Sequence, residues 1–294
     1  MKRIILFVLT NLAVLLTLGL VTNVLCMVLG TSLEAWLGVE YSTLAIFAFV
    51  YGVIGSFISL LLSKTIAKIS CRATVISGEE GEAERWLVET VRDLAMRANV
   101  GMPEVAIYEG PANAFATGAF RNHSLVAVST EIIEQMTKEE LRAVLGHEIS
   151  HVANGDMVTM TLVQGVLNAF VIFFSRVIAS AIANSGKEDR NRSNSFSYVL
   201  LVMALQLVLG VLSSIVVCWY SRRREFATDK GSANLLGSSQ PMIRALQRLG
   251  NLKPGILPDS LRAMGIAGKR RASLFATHPP LEIRIEALQR TMLG

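Results

Sequence analysis

Charge is scarce in this chain. Of its 294 residues, 17% are Asp, Glu, Lys or Arg, against about a quarter in soluble domains. Hydrophobic residues make up 52% and the mean hydropathy is +0.47. So little charge argues against an ordinary soluble domain and for an integral membrane protein that carries a modest soluble part. Cysteine is scarce too. Cys26, Cys71 and Cys218 form no CxxC pair, which argues against a disulfide framework or a thiolate metal site and leaves them as small buried hydrophobes. The sequence has no internal repeat and no long low-complexity segment. The net charge is +5, but Lys and Arg cluster beside apolar segments and do not alternate with aromatics. No nucleic-acid partner is expected; topology and lipid headgroups account for the basic residues.

Four stretches supply the roughly 20 apolar residues that a 30 Å hydrocarbon core requires. They cover residues 4–29, residues 43–62, a run that begins at Met157, and residues 198–220. Lys2 and Arg3 resemble a signal-peptide n-region, but the first apolar run is too long for one and reads as a retained anchor. Lys64, Lys68 and Arg72 follow the second run, and Arg222, Arg223 and Arg224 follow the fourth. The loop after the first run has Glu34 and Glu40 and no Lys or Arg. Both termini and residues 64–156 are therefore expected on the cytoplasmic side. Arg176 interrupts the third run, where a charge must snorkel or find a partner. Gln164, Asn168 and Gln206 lie deeper and suit hydrogen bonds between the third and fourth runs.

Histidine is also rare. There are four, and two of them stand in His147-Glu148-Ile149-Ser150-His151. This is HExxH. Imidazoles at i and i+4 share one helix face and can bind one cation. Thr137-Lys138-Glu139-Glu140 forms a capping box just upstream. Leu141, Val144, Leu145, Ile149 and Val152 then recur at helical spacing, so the pair sits on a specified amphipathic helix. Neutral imidazole suits Zn²⁺, expected at one ion per subunit, and a catalytic site wants a third protein ligand and an open position for water. Glu148 is placed to reach that water.

The third ligand must come from elsewhere. Beyond the fourth run stands Arg224-Glu225-Phe226-Ala227-Thr228-Asp229, with Glu225 and Asp229 on one helix face. Glu225 can complete a His₂Glu site, with Asp229 accepting the free N–H of a ligand histidine. Taken alone, the cluster reads equally well as a juxtamembrane ion-pair group. Topology favours the ligand reading. Two crossings separate His151 from Glu225 and return the chain to the same side, next to the apolar boundary.

HEISH with Asn154-Gly155-Asp156, then REFATD, then Thr277-His278-Pro279-Pro280, resembles the HtpX membrane metalloproteases, bacterial relatives of the CaaX prenyl proteases with a thermolysin-like (gluzincin) site. The likeness covers nearly the whole chain. It implies a zinc endopeptidase of the bacterial inner membrane. Its active site is cytoplasmic, its substrates are proteins or peptides, membrane proteins among them, and its role is quality control under stress. It implies His147, His151 and Glu225 as metal ligands, Glu148 as catalytic base and Asp229 behind the ligands. Thr228 departs from the Ala usual in the family. By analogy with the prenyl proteases, His278 and Arg284 stabilise the oxyanion; the alternative for His278 is a helix-start residue before two prolines.

Residues 103–128 hold three short β-like runs, 105–108, 114–117 and 125–128. Asn113-Ala114-Phe115 resembles the edge-strand motif with which thermolysin-like enzymes bind peptide backbone. Asn113 also reads as a turn residue opening a structural strand, and His123 as a turn residue. Amphipathic helices are expected over residues 86–98 and 280–292.

The fold expected is a mainly α integral membrane protein with four transmembrane helices and an α+β zincin-like cytoplasmic protease domain. Residues 1–63 form an N-terminal hairpin, 64–156 and 221–294 the two parts of the protease domain, and 157–220 a second hairpin. Two other classes remain open. A purely structural metal site would not need Glu148. A transporter would want ionisable groups at mid-membrane, where only Arg176 comes close.

Overall fold

The computed structural model describes residues 41–185, 195–251 and 274–291. The expected first span, residues 4–29, lies outside them, as does most of the loop 184–197. In chain order the elements begin with α1 (Tyr41–Phe49), a π-helical turn (Val50–Ile54) and α2 (Gly55–Cys71). Then come β1 (Thr74–Ile76), α3 (Glu82–Arg97), β2 (Glu104–Tyr108), β3 (Ala114–Phe120) and β4 (His123–Ser129). The chain continues through α4 (Thr130–Gln135), α5 (Lys138–Asn154), α6 (Asp156–Ser185), α7 (Ser195–Leu236), α8 (Gln240–Asn251) and α9 (Leu281–Arg290). Among the described residues, three helical stretches are long and apolar enough to cross a membrane: Leu44–Cys71, Asp156–Ala183 and Phe196–Leu236. The architecture is mostly helical with one small mixed sheet.

The chain forms two compact units. One comprises Met1–Ile58 and Thr161–Val216, the other Ser59–Met160 and Val217–Gly294. In the first, Leu44, Ala45 and Ala48 of α1 pack with Phe173 and Val177 of α6. Gly52 makes the closest approach, because a Cβ there would stand 2.5 Å from the Ala169 backbone nitrogen. Within the π turn the Gly52 carbonyl accepts from Ser56 Oγ at 2.8 Å. Asn168 Nδ2 donates to Ser56 Oγ (3.3 Å), and Gln164 Nε2 donates to Asn168 Oδ1 (2.9 Å). Gln164 and Asn168 thus join the third run to the second, whereas a link to the fourth was expected. The bulged backbone of the second run is what needs polar partners in an apolar medium. Arg176 is accommodated by the Ile172 carbonyl at 3.1 Å and the Phe47 ring at 5.1 Å.

The second unit is built around a sheet of order β1-β2-β4-β3, with β2 and β4 parallel and the other pairs antiparallel. Side chains alternate between its faces, as strand geometry requires. Val105, Ala114, Ala116, Val126 and Val128 face α3, α5 and α8, where Leu87, Val91, Leu145, Ile149, Met242 and Leu246 complete the main core. Ala106, Tyr108, Phe115, Leu125 and Ala127 pack on the other face with Ala67 of α2. The three β-like runs are strands, each somewhat longer than its apolar core, and β1 is an addition too short to show a period. His123 opens β4 opposite Phe120 at the hairpin end.

Two helices run past their expected ends. The second apolar run was bounded at residue 62, yet α2 continues to Cys71, where Lys64 and Lys68 pair with Glu104 at 2.7 and 3.2 Å. The fourth run was bounded at Tyr220, yet α7 continues to Leu236. No proline interrupts it, and it stops only where Gly237 turns left-handed at φ +73°. One helix therefore carries both the apolar run and the REFATD residues.

Candidate active site

Helix α5 is specified from its first residue. The Thr137 hydroxyl accepts from the Glu140 N–H at 3.3 Å, and the Thr137 N–H donates to Glu140 Oε2 at 2.9 Å. That reciprocal cap fixes the register in which His147, Glu148 and His151 fall on the buried side. Gly155 ends the helix at φ 64°, ψ 40°, a left-handed conformation that glycine adopts without a Cβ penalty. The next helix, α6, begins at once with Asp156.

Helix α7 crosses α5 with almost no side-chain spacer. A Cβ on Gly146 would lie 2.9 Å from Ser232 Oγ, and one on Gly231 would lie 2.7 Å from Ser150 Oγ. Ser232 Oγ donates to the Ala143 carbonyl at 2.8 Å. This close crossing lets the short Glu225 side chain reach the histidine pair. Glu225 Oε2 is 3.5 Å from His147 Nε2, and Oε1 is 3.4 Å from His151 Nε2. One ligand atom from each of His147, His151 and Glu225 can be chosen so that all lie within 4.8 Å of one another. A tetrahedral metal site with bonds of about 2.1 Å sets its ligand atoms about 3.4 Å apart. Two nitrogens and a carboxylate oxygen at this spacing fit a zinc-type ion.

Both histidines are oriented from behind. His147 Nδ1 lies 2.9 Å from Asp229 Oδ1, and His151 Nδ1 lies 2.7 Å from Asp156 Oδ2. A carboxylate at each Nδ1 favours the proton there and turns each Nε2 lone pair toward Glu225. Asp156 in turn pairs with Arg224. The Thr228 hydroxyl stands 3.3 Å from His151 Nδ1 and 3.4 Å from Asp156 Oδ2. Among these, Asp156, Arg224 and Thr228 received no site role from the sequence. The available signal was an acid immediately beyond the glycine that ends the HExxH helix.

Glu148 is 2% exposed. Burial pushes its carboxyl up to about 7, against the pull of the two histidines and of the Ala116 N–H that donates to it. That hydrogen bond sets the acid against β3, which is an edge of the sheet and has β4 as its neighbour among the described residues. Asn113 precedes β3. Its backbone is tied to Ser129 and Tyr108, while its carboxamide is buried with both polar atoms unpartnered among the described residues. Ala114 pairs with Val128 and is fully buried.

Arg284 and His278 approach from the C-terminal end. Arg284 is completely buried. Its Nε and Nη2 fork onto Asp229 at 2.8 and 2.6 Å, and Nη1 is 3.3 Å from Glu225 Oε2. Burial opposes its charge, but the Asp229 and Glu225 carboxylates outweigh that and raise its pKa further. The guanidinium therefore sits behind the ligands. His278 Nδ1 lies 2.9 Å from Glu225 Oε2, and its Nε2 is unpartnered among the described residues.

Such a constellation suits amide hydrolysis by an activated water, and on a chain with membrane-spanning helices it defines a membrane-bound metalloprotease of the HExxH class. Comparison with known proteins agrees. Residues 82–292 match the model of peptidase family M48. The chain is 53% identical to the Protease HtpX homolog of Polaromonas naphthalenivorans (strain CJ2), over 98% of this chain and 99% of that one. It is 50% identical to the Protease HtpX homolog of Bordetella pertussis (strain Tohama I / ATCC BAA-589 / NCTC 13251), over the full length of both. The crystal structure of S. mikatae Ste24p shares the fold, with a TM-score of 0.62 at 18% identity over 97% of this chain and 67% of that chain. The chain belongs to peptidase family M48, among the HtpX-type proteases.

Proposed function

We propose that the protein is a zinc-dependent endopeptidase of the bacterial inner membrane. It cleaves membrane or membrane-associated proteins at the cytoplasmic face and serves membrane-protein quality control and the stress response. The observation that carries this reading is the meeting of His147, His151 and Glu225 beside the buried acid Glu148 and the edge strand β3. We read the protease domain as two stretches, 64–156 and 221–294, separated by the hairpin 157–220. Glu225 follows the end of the apolar run, Tyr220, by a little over one helical turn on α7, about 8 Å at 1.5 Å per residue. That short distance supports cleavage at the bilayer surface, and the positive charges at Lys64, Lys68 and Arg222–Arg224 support the cytoplasmic side.

His147, His151 and Glu225 would hold the ion. A zinc ion so held lowers the pKa of water to about 7 and polarises the scissile carbonyl. Glu148 accepts the proton of the attacking water and delivers it to the leaving amine. Asp229 and Asp156 fix the two imidazoles, and Arg284 keeps Asp229 ionised. His278 is the group left to face the developing oxyanion; with a proton on both ring nitrogens it donates through Nε2 while Nδ1 stays on Glu225 Oε2. The substrate lies extended along β3, pairing its backbone with the strand edge as an added strand does, and the Asn113 carboxamide and the Ala114 backbone bind it.

The test is purification of the wild type beside Glu148→Ala. Both are expected to hold one zinc, and only the wild type should cleave a membrane-protein substrate. Cleavage by the variant at the wild-type rate would defeat the mechanism. Tags within residues 64–156 and at Gly294 should be protected in right-side-out vesicles.

A further inference from the structure

Leu274, Phe275 and Trp219 are large apolar side chains on the surface of the site-bearing unit, 63%, 51% and 48% exposed. They are held together through the backbone. Cys218 Sγ donates to the Phe275 carbonyl at 3.4 Å. Arg222 Nη1 donates to the Leu274 carbonyl at 3.2 Å and to the Ala276 carbonyl at 2.6 Å. Three successive carbonyls of this turn are thus satisfied by side chains of α7. A turn whose carbonyls have protein partners can enter an apolar medium without the cost of stripping water from them. Its side chains are presented outward.

The turn is tied to α7 where the apolar run ends. Val208, Leu212, Val216 and Trp219 are exposed along this helix at the spacing of one face, and Arg223 lies over the Trp219 ring at 4.7 Å. A tryptophan flanked by arginines at the end of an apolar run is the composition of a membrane–water interface. We propose that the Leu274–Phe275 turn and Trp219 form a membrane-interface anchor. The two side chains of the turn insert among the upper acyl chains, and Arg222 and Arg223 lie at headgroup level. The occupant of this surface is the bilayer in which the chain is embedded. The anchor lies three residues before His278, so it tethers the segment that carries that histidine. The inference concerns membrane contact and does not depend on the proteolytic chemistry.

Its test needs no substrate. In the full chain with C26S, C71S and C218S, an NBD fluorophore is attached at L274C, or at E139C as a solvent-exposed control. The protein is placed in phosphatidylcholine–phosphatidylglycerol vesicles. Emission at 274 should be blue-shifted relative to 139 and quenched by lipids brominated near the top of the acyl chains, with no quenching at 139. Emission at 274 that matches the control would overturn the proposal. So would a blue shift without bromolipid quenching, which would mean that protein, a second copy included, covers the turn. Because C218S removes one of the three ties, the measurement is repeated with the buried Cys218 retained. Quenching in that background supports the anchor, and its absence in both backgrounds sinks it.

Discussion

Replacing Arg284 by Gln separates two roles that its position in the sequence leaves joined. As an oxyanion donor, its loss would lower kcat by about 10²–10³ with zinc binding intact. The structure places it behind the ligands, fully buried and forked on Asp229 at 2.8 and 2.6 Å. Removing one partner of a buried ion pair leaves a charge uncompensated, at a cost of about 3–5 kcal/mol. Asp229 can lower that cost by taking a proton, but it then stops accepting cleanly from His147 Nδ1, 2.9 Å away. Losing such support behind a ligand weakens metal binding by about 10–100-fold. R284Q is therefore expected to lower both thermal stability and zinc affinity, measured by melting and by competition with a chelator. Activity at saturating zinc should recover in part. R284K keeps the charge without the fork and should fall between. Wild-type zinc affinity and melting in R284Q, with kcat alone reduced, would refute the positioning role and restore the oxyanion role.

Other outcomes follow from the same geometry. Glu148 has its carboxyl raised from the ordinary 4.5 to about 7 by burial. The stability gained from its neutral form is fully present below 4.5 and is lost as pH rises through about 7, in all by about 3 kcal/mol. In metal-stripped protein, E148Q should therefore melt higher than the wild type above that range and converge with it below; equal melting at both ends would count against a buried acid. D156N should weaken zinc binding about 10–100-fold by replacing the carboxylate at His151 Nδ1 with a neutral, weaker acceptor, and unchanged affinity would release Asp156 from that role. G231A puts a methyl 2.7 Å from Ser150 Oγ and should cost about 1–3 kcal/mol by overpacking. S150G in the same chain should recover most of it, and no recovery would place the strain elsewhere.

Much of the site was legible in one dimension because its information is local. The capping box at Thr137 and Glu140, the apolar spacing that follows it, and the i, i+4 pair of His147 and His151 all lie within one helix. A helix has a fixed period, so the spacing alone brings the two imidazoles together. The pairing of Glu225 with them was legible only through the expected topology, in which two crossings would return the chain to the same side. The deep residues of the third run were harder. Gln164 and Asn168 looked like partners for the fourth run and instead serve the second, because Ser56, just past the π turn at Val50–Ile54, accepts from Asn168, a contact that no composition foretells.

The sequence by itself determined the class of protein and the chemistry of its metal-binding helix, because hydrophobic run length and helical period are properties of a segment. Which carboxylate backs which histidine was decided by tertiary structure. Asp156 reaches His151 because left-handed Gly155 ends α5 just before it. Asp229 reaches His147 because Gly146 and Gly231 let α5 and α7 cross almost backbone to backbone. Arg284, far along the chain, likewise comes to fork on Asp229 and to reach Glu225. Such distances depend on how helices far apart in the chain cross, and spacing along the chain does not specify a crossing.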